Sequence, residues 1–189
     1  LNLVRANVRE PVQVEGDLYA LVACNDTGAR RLFAMMDEYG LDDLYALGSH
    51  IIERSQTAIT AAINGLPQGS WSHAMRIDGF EEPIDLVAEV TISNGKIHVD
   101  YCGTSGTSDF GINCPMCYTE AYTAFGVKCV VAPKIPNNAG TLGAITVSAP
   151  EHTIVNAPHP CAVDHRAYAS RRYIWLFTSG TTQPSACGG

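Results

Sequence analysis

The 189 residues hold twelve Lys or Arg against nineteen Asp or Glu, a net charge of −7, with 46% hydrophobic and 16% charged content. That size closes one core and buries roughly 70% of the unfolded surface, while the acidity and the lack of any Lys/Arg run exclude a nucleic-acid backbone as partner. No apolar run reaches the ~20 residues of a membrane helix, and the opening LNLVRANVRE is no secretory signal.

The first periodic segment covers residues 12–40. Val14, Leu18, Leu21, Val22, Leu32, Phe33 and Met36 recur at three and four, which predicts one apolar helical stripe with Gly28 as a weak point. Pro11, Glu10, Glu15 and Asp17 suit its front, and Tyr39-Gly40 its stop. A second helix follows, capped by Asp42 or Asp43 and carrying Leu44, Leu47, Ile51, Ile52, Ile59 and Ile63 until Asn64-Gly65 and Pro67. Helices joined by so short a turn are expected to lie antiparallel.

Beyond them the period changes from 3.6 to 2. A strand is expected at 70–77 before Asp78-Gly79. Ile84, Leu86, Ala88, Val90 and Ile92 then alternate with polar or smaller neighbours, and Ile97, Val99 and Tyr101 resume the pattern after Asn94-Gly95. Asn-Gly favours the type I′ hairpin. A two-residue loop pairs Ser93 with Lys96, Ile92 with Ile97, Val90 with Val99 and Ala88 with Tyr101, which leaves one face apolar. A third helix is predicted over 115–131, with Met116, Ala121, Ala124, Phe125 and Val127. A Pro- and Asn-rich loop at 134–140 and short strands at 144–148 and 153–155 follow. The fold class is therefore α+β: a helix pair, a central antiparallel hairpin sheet, one more helix and short strands. With no repeat and no linker, residues 1–163 are expected to form one domain. Residues 164–189, with an apolar knot at 173–177 and no periodicity, have the composition of a poorly ordered tail.

Several motifs could carry chemistry. In DYCGTSG (100–106) the glycines and hydroxyls could converge backbone N–H groups on an anion or carbonyl oxygen, or could simply turn the chain. No Lys-Ser or Lys-Thr follows the glycines, and Thr107 stands where an esterase elbow needs its second Gly, so neither a phosphate loop nor a nucleophile elbow is present. Cys114-Pro115-Met116-Cys117 has CxxC spacing, with Cys102 and Cys129 flanking. Zinc ligation, a redox pair and plain buried thiols all remain open, the last being commonest. The odd total of seven cysteines without a secretory signal predicts reduced thiols in a cytoplasmic protein, which makes the sequon Asn25-Asp26-Thr27 coincidental. Histidines at 50, 73, 98, 152, 159 and 165 form no metal-binding pair. His98 falls on the polar face of the hairpin, His159 lies between two prolines, and Asp164-His165 is adjacent in sequence only.

Taken in order, these signatures resemble the hydantoinase B family, which includes subunits of acetone and acetophenone carboxylases and the second half of 5-oxoprolinases. The resemblance runs from about Asn7 to Val163. Asn7-Val8-Arg9 with Pro11, then Gly16-Asp17-Leu18, look like N-x-R-x-P and G-D-L; Gly103-Thr104-Ser105 and Asn113 look like G-T-S and the Asn after it. Leu66-Pro67 with Gly69, Asn138 with Gly140, Pro150-Glu151, and Asn156-Ala157-Pro158 with Pro160 resemble L-P-D-G, N-x-G, P-E-G and N-x-x-x-P. Departures are Thr60 where an Arg is usual, Gln68 for Asp, and His152 for Gly. The apolar helix expected after Val163 is not recognisable. A start on Leu1 rather than Met, and the lack of the flanking portions of such a subunit, predict an internal piece of a longer protein.

What the resemblance implies is ATP-driven opening of cyclic amides such as hydantoins and 5-oxoproline, or carboxylation of ketones. A hydantoinase A-like ATPase partner would hold ATP and Mg and make a phosphorylated intermediate. This chain would bind no cofactor itself, and any divalent metal would sit on a segment it lacks. Arg9, Asp17, Ser105, Asn113, Asn138 and Asn156 are the expected site residues, Arg9 as anion clamp and the asparagines as oriented donors. A non-catalytic, cysteine-based zinc or assembly module is the alternative of another class.

Overall fold

The computed structural model describes residues 1–80 and 82–163; the expected tail, the 173–177 knot and the Asp164-His165 pair lie outside the described residues. The chain forms two compact units, Leu1–Ser49 and His50–Gly189, and the division falls within a helix, where no linker composition marks it.

The first unit holds α1 (Asn2–Asn7), α2 (Pro11–Tyr39) and the start of α3 (Tyr45–Asn64). The sequence pattern did not reveal α1. Its last turn is closed by Asn7 Nδ2 donating to Leu3 O at 2.8 Å, and Arg5 reaches Glu15 of α2 through Nε at 2.6 Å and Nη2 at 2.5 Å. This pair holds the Glu15 carboxyl below the usual carboxylate range. Pro11 opens α2 at a position that needs no N–H. Gly40 ends it in the left-handed region at φ 62°, and Leu41 N donates to Met36 O at 2.8 Å, a Schellman closure. Gly28 does not interrupt the helix. Asp43 is the side chain that starts α3, its Oδ1 accepting from Tyr45 N at 2.9 Å.

The second unit is built on a four-stranded sheet in the order β1 (Gly69–Ile77), β2 (Ile84–Ser93), β3 (Lys96–Asp100), β4 (Ile145–Ser148). Asn94 and Gly95 take φ 51° and 71° as the I′ turn requires, and Ser93–Lys96, Ile92–Ile97 and Val90–Val99 pair in the expected register. The fourth expected pair does not form. β3 ends at Asp100, paired with Glu89, and Tyr101 N, like Ile97 N, donates on the β4 side, to Ser148 O at 2.9 Å. Nor is the sheet wholly antiparallel: β4 runs parallel to β3. The segment between them carries α4 (Met116–Val131) and the short α5 (Ala139–Leu142), the crossover that a parallel neighbour demands. The strand expected at 153–155 is reduced to isolated bridges from Thr153 to Gly106 and Asn156.

Ile59 and Ile63 of α3 join Leu86, Ala88, Ile97, Val99, Tyr101 and Val127 in one core. On α4 the buried face is only in part the expected apolar one, with Val127 buried and Ala124 packed against the core. Thr119, Thr123, Gly126 and Val127 point inward while Phe125 is half exposed. Those hydroxyls are satisfied: Thr119 Oγ1 donates to Val155 O at 2.6 Å, and Thr123 Oγ1 meets Tyr101 OH at 2.7 Å. Burial pushes the Tyr101 phenol pKa up.

Candidate functional site

The DYCGTSG loop leaves β3 at Asp100 and turns through Gly103, whose φ of 89° suits a residue without Cβ. It then runs alongside β2. Thr104 Oγ1 accepts from Val87 N and donates to Val87 O, both at 3.0 Å. Ser105 N donates to Asp85 O at 2.9 Å, and Ser105 Oγ accepts from Asp85 N at 2.9 Å. On the other side Ile154 N donates to Ser105 O and Thr107 N to His152 O, both at 3.0 Å. The amides of Ser105 and Thr107 are therefore engaged within the fold. Of the two readings of this loop, the chain-redirecting bend is what these bonds build, rather than a convergent anion nest.

Beside it lies an open cavity of about 390 Å³, walled by Phe80, Glu82, Ile84, Ser105, Thr107 and Asp109 among others. That volume falls within the range of small-molecule sites. Phe80 stacks on Phe110 with ring centroids 4.8 Å apart, while Glu82 and Asp109 are exposed acids. Under the loop, Asp85 binds Arg76 through two bonds of 2.7 Å, and that guanidinium holds the Asp85 carboxyl below its ordinary pKa. The cavity thus has one aromatic flank and a rim of hydroxyls and carboxylates.

The structure brings Ser105, Asn113 and Asn156 into one knot, because Ile154 N reaches Ser105 O, Cys114 N reaches Ile154 O at 2.8 Å, and Ala157 N reaches Cys114 O at 3.1 Å. Only Ser105 of the three lines the cavity. Asn113 is fully buried. Its Oδ1 accepts from Ser108 N at 2.8 Å, and its Nδ2 donates to Ser108 O, Phe110 O and Ala162 O at 2.8, 3.1 and 2.9 Å. Asn156 Nδ2 donates to Ala149 O at 2.8 Å. Asn138 stands elsewhere, as N-cap of α5: its Oδ1 accepts from Gly140 N and Thr141 N, and its Nδ2 donates to Ser55 Oγ at 2.7 Å. All three amides therefore hold loops in place. Arg9 and Asp17 belong to the first unit, are exposed, and make no side-chain bond with described residues.

Pattern reasoning missed Phe80, Glu82, Thr107 and Asp109, which form the cavity with Ser105. The adjacent Gly103-Thr104-Ser105 and Asn113 signatures were the available signal. A second polar cluster lies on the open face of the sheet. His98 Nδ1 meets Thr146 Oγ1 at 2.8 Å and its Nε2 meets Ser148 Oγ at 3.0 Å, while Ser148 Oγ donates to Asp100 Oδ1 at 2.9 Å. His98 is exposed there, as its place in the hairpin alternation predicted. Among the described residues no three His, Cys, Asp or Glu side chains come together as a metal site, and Cys102, Cys117 and Cys129 are exposed rather than gathered about Cys114.

A sequence model of the Hydantoinase B/oxoprolinase family matches residues 1–183. The chain belongs to that family. The match continues past Val163, where the quoted motifs stop. Relatives in and around the family include an uncharacterised protein of Methanocaldococcus jannaschii, 30% identical over 163 residues, which are 86% of this chain and 29% of the relative. Caprolactamase subunit beta of Pseudomonas jessenii is 24% identical over 165 residues, 85% of this chain and 28% of the subunit. A 5-oxoprolinase of Dictyostelium discoideum is 25% identical over 78% of this chain and 12% of its own length. Among solved structures, the ATP-dependent caprolactamase of Pseudomonas jessenii superposes with a TM-score of 0.79 at 22% identity, over 93% of this chain and 30% of that one, so the fold is shared. The chain spans less than a third of each of these proteins.

Proposed function

We propose that the chain is part of the B-type component of an ATP-dependent enzyme that opens cyclic amides of the hydantoin, 5-oxoproline or lactam kind. The observation that carries this is family membership over residues 1–183, supported by relatives whose names denote lactam-opening enzymes and by a cavity beside Ser105 of a size to take such a ring. An amide carbonyl is a poor electrophile in water, and phosphorylation of its oxygen supplies the missing driving force. A hydantoinase A-like ATPase subunit would hold ATP and Mg and perform that step. This chain would position the activated ring for attack by water at the former carbonyl carbon, which opens the ring at its C–N bond and releases phosphate.

Within that reading the six expected residues divide. Ser105 faces the ring through the cavity wall; Arg9 and Asp17 serve the assembled complex from the first unit, Arg9 as a clamp for phosphate or carboxylate. Asn113, Asn138 and Asn156 act as positioning residues, because their amides already bind main chain. The test is ATP-dependent ring opening of hydantoin, 5-oxoproline and ε-caprolactam by the complex assembled with its ATPase subunit. Turnover is expected to fall in Arg9→Ala and Ser105→Ala without loss of assembly; wild-type turnover in both would remove these residues from the site. Bicarbonate-dependent carboxylation of a ketone, with no ring opening, would replace the proposed reaction. Asn113→Ala is expected to lower the melting temperature first, and kcat measured well below that temperature separates positioning from mere folding.

A further inference from the structure

The cavity beside Ser105 is walled by two segments of different character. Residues 105–109 supply the hydroxyls of Ser105 and Thr107 and the carboxylate of Asp109. The connection between β1 and β2 supplies Phe80 and Pro83 as well as Glu82, and Ile84 opens β2. Ser105 Oγ accepts from Asp85 N at 2.9 Å, so that hydroxyl still has its proton to donate. On the apolar side Ile84 and Ile112 are 6% and 3% exposed and already packed in the core, whereas Phe80 keeps 67% of its surface open. The place of Phe80 is held through Phe110. The two rings stack at 4.8 Å with 25° between their planes. Phe110 is tied at both main-chain groups, its N donating to Ser108 Oγ and its O accepting from Nδ2 of the buried Asn113, each at 3.1 Å. Phe80 thus rests on an anchored neighbour and still presents aromatic surface to the cavity.

A cyclic amide divides in the same way, into a polar edge of C=O and N–H where the chemistry occurs and a hydrocarbon edge behind it. We propose that Phe80 is a specificity-determining residue of this cavity, lying against the hydrocarbon edge of the ring while the amide edge meets Ser105 and Thr107. The inference rests on reading this cavity as the ring site. The substrate class it names is a ring with an apolar back, either a lactam or a hydantoin carrying a hydrocarbon substituent, in preference to unsubstituted hydantoin. A methylene taken wholly out of water gains about fourfold in affinity, and one covered by Phe80 on a single side gains about twofold. The two methylenes by which ε-caprolactam exceeds 2-pyrrolidone are therefore worth about four- to sixteenfold in kcat/KM.

The test is ring opening by the complex assembled with its ATPase subunit, on 2-pyrrolidone, δ-valerolactam, ε-caprolactam and hydantoin, with wild type, Phe80→Ala and Phe80→Leu. The rings differ in intrinsic reactivity, but that difference cancels when each variant is divided by the wild type on the same ring. Phe80→Ala is expected to lose about four- to sixteenfold more on ε-caprolactam than on 2-pyrrolidone, chiefly through KM, with δ-valerolactam between them. Phe80→Leu, which keeps an apolar wall, is expected to restore most of that difference. Equal losses on every ring, or none, overturn the role of Phe80 and leave the ring-opening reading standing. Opening of hydantoin but of no lactam also overturns it. A wild-type complex that opens none of the four rings overturns the ring-opening reading itself, and this inference with it.

Discussion

In the unit of residues 50–189 the sheet and the helices packed on it enclose Leu86, Val99, Tyr101, Ile59 and Ile63 with 0% exposure, whereas α2 in the unit of residues 1–49 buries none of its 29 residues. Both segments have clean apolar periodicity. Leu21, Val22 and Phe33 of α2 remain 61%, 66% and 68% exposed, because amphipathicity says which face will bury and nothing about whether a surface is there to receive it. The first unit rests on helix hydrogen bonds, caps and the Arg5–Glu15 pair; the second rests on enclosed area.

The contrast is most directly broken by truncation in each unit. Leu86→Ala is expected to cost about 2–5 kcal/mol in denaturant unfolding, while Leu21→Ala, on the exposed stripe, should stay within about 0.5 kcal/mol. Equal losses would mean that α2 has a covered face in solution. Glycines sharpen the same difference. A Cβ on Gly140 would sit 2.2 Å from Ile52 O and 3.0 Å from Gln56 N, both backbone atoms of α3, so Gly140→Ala should destabilise by about 1–3 kcal/mol. Gly28 has nothing within 4 Å and lies inside α2. Gly28→Ala should therefore raise stability by about 0.4–1 kcal/mol, through the unfolded chain and helix propensity; a loss would reveal a neighbour at that face.

The smallest effect is electrostatic. Arg5 lowers the pKa of Glu15 and Arg76 that of Asp85. A carboxylate with a lowered folded-state pKa adds stability that is complete above its ordinary value and disappears as pH falls through the lowered one. Arg5→Ala and Arg76→Ala should each lower the melting temperature slightly near neutrality and converge with the wild type at acid pH, which flattens the acid limb of the profile, and added salt should mask both.

Much of the local structure was legible in the residues. Asn94-Gly95 determined a turn and with it the pairing of β2 and β3; Gly40 and Asp43 bounded two helices; alternation placed His98 on the open face. The motifs led as far as the family, since an ordered set of Gly and Asn bends survives even where Thr60, Gln68 and His152 depart from it. Other features were out of reach. The inward Thr119 and Thr123 of α4 look like surface residues until Val155 O and Tyr101 OH are brought against them. Asn113, Asn138 and Asn156 looked like donors aimed at a ligand, yet an amide serves equally well to tie a loop, and only the positions of Ser108, Ser55 and Ala149 show which it does.

By itself the sequence determined the α+β class, the helix ends, the hairpin register and the family, because caps, turns and short-range periodicity act between residues a few positions apart. Tertiary structure alone decided that β4 runs parallel to β3, that Tyr101 is not paired with β2, that Ser105 reaches Asp85, and that the stripe of α2 is exposed among the described residues. Each of these depends on which distant surfaces meet, and a linear pattern specifies the need for a partner without supplying its place.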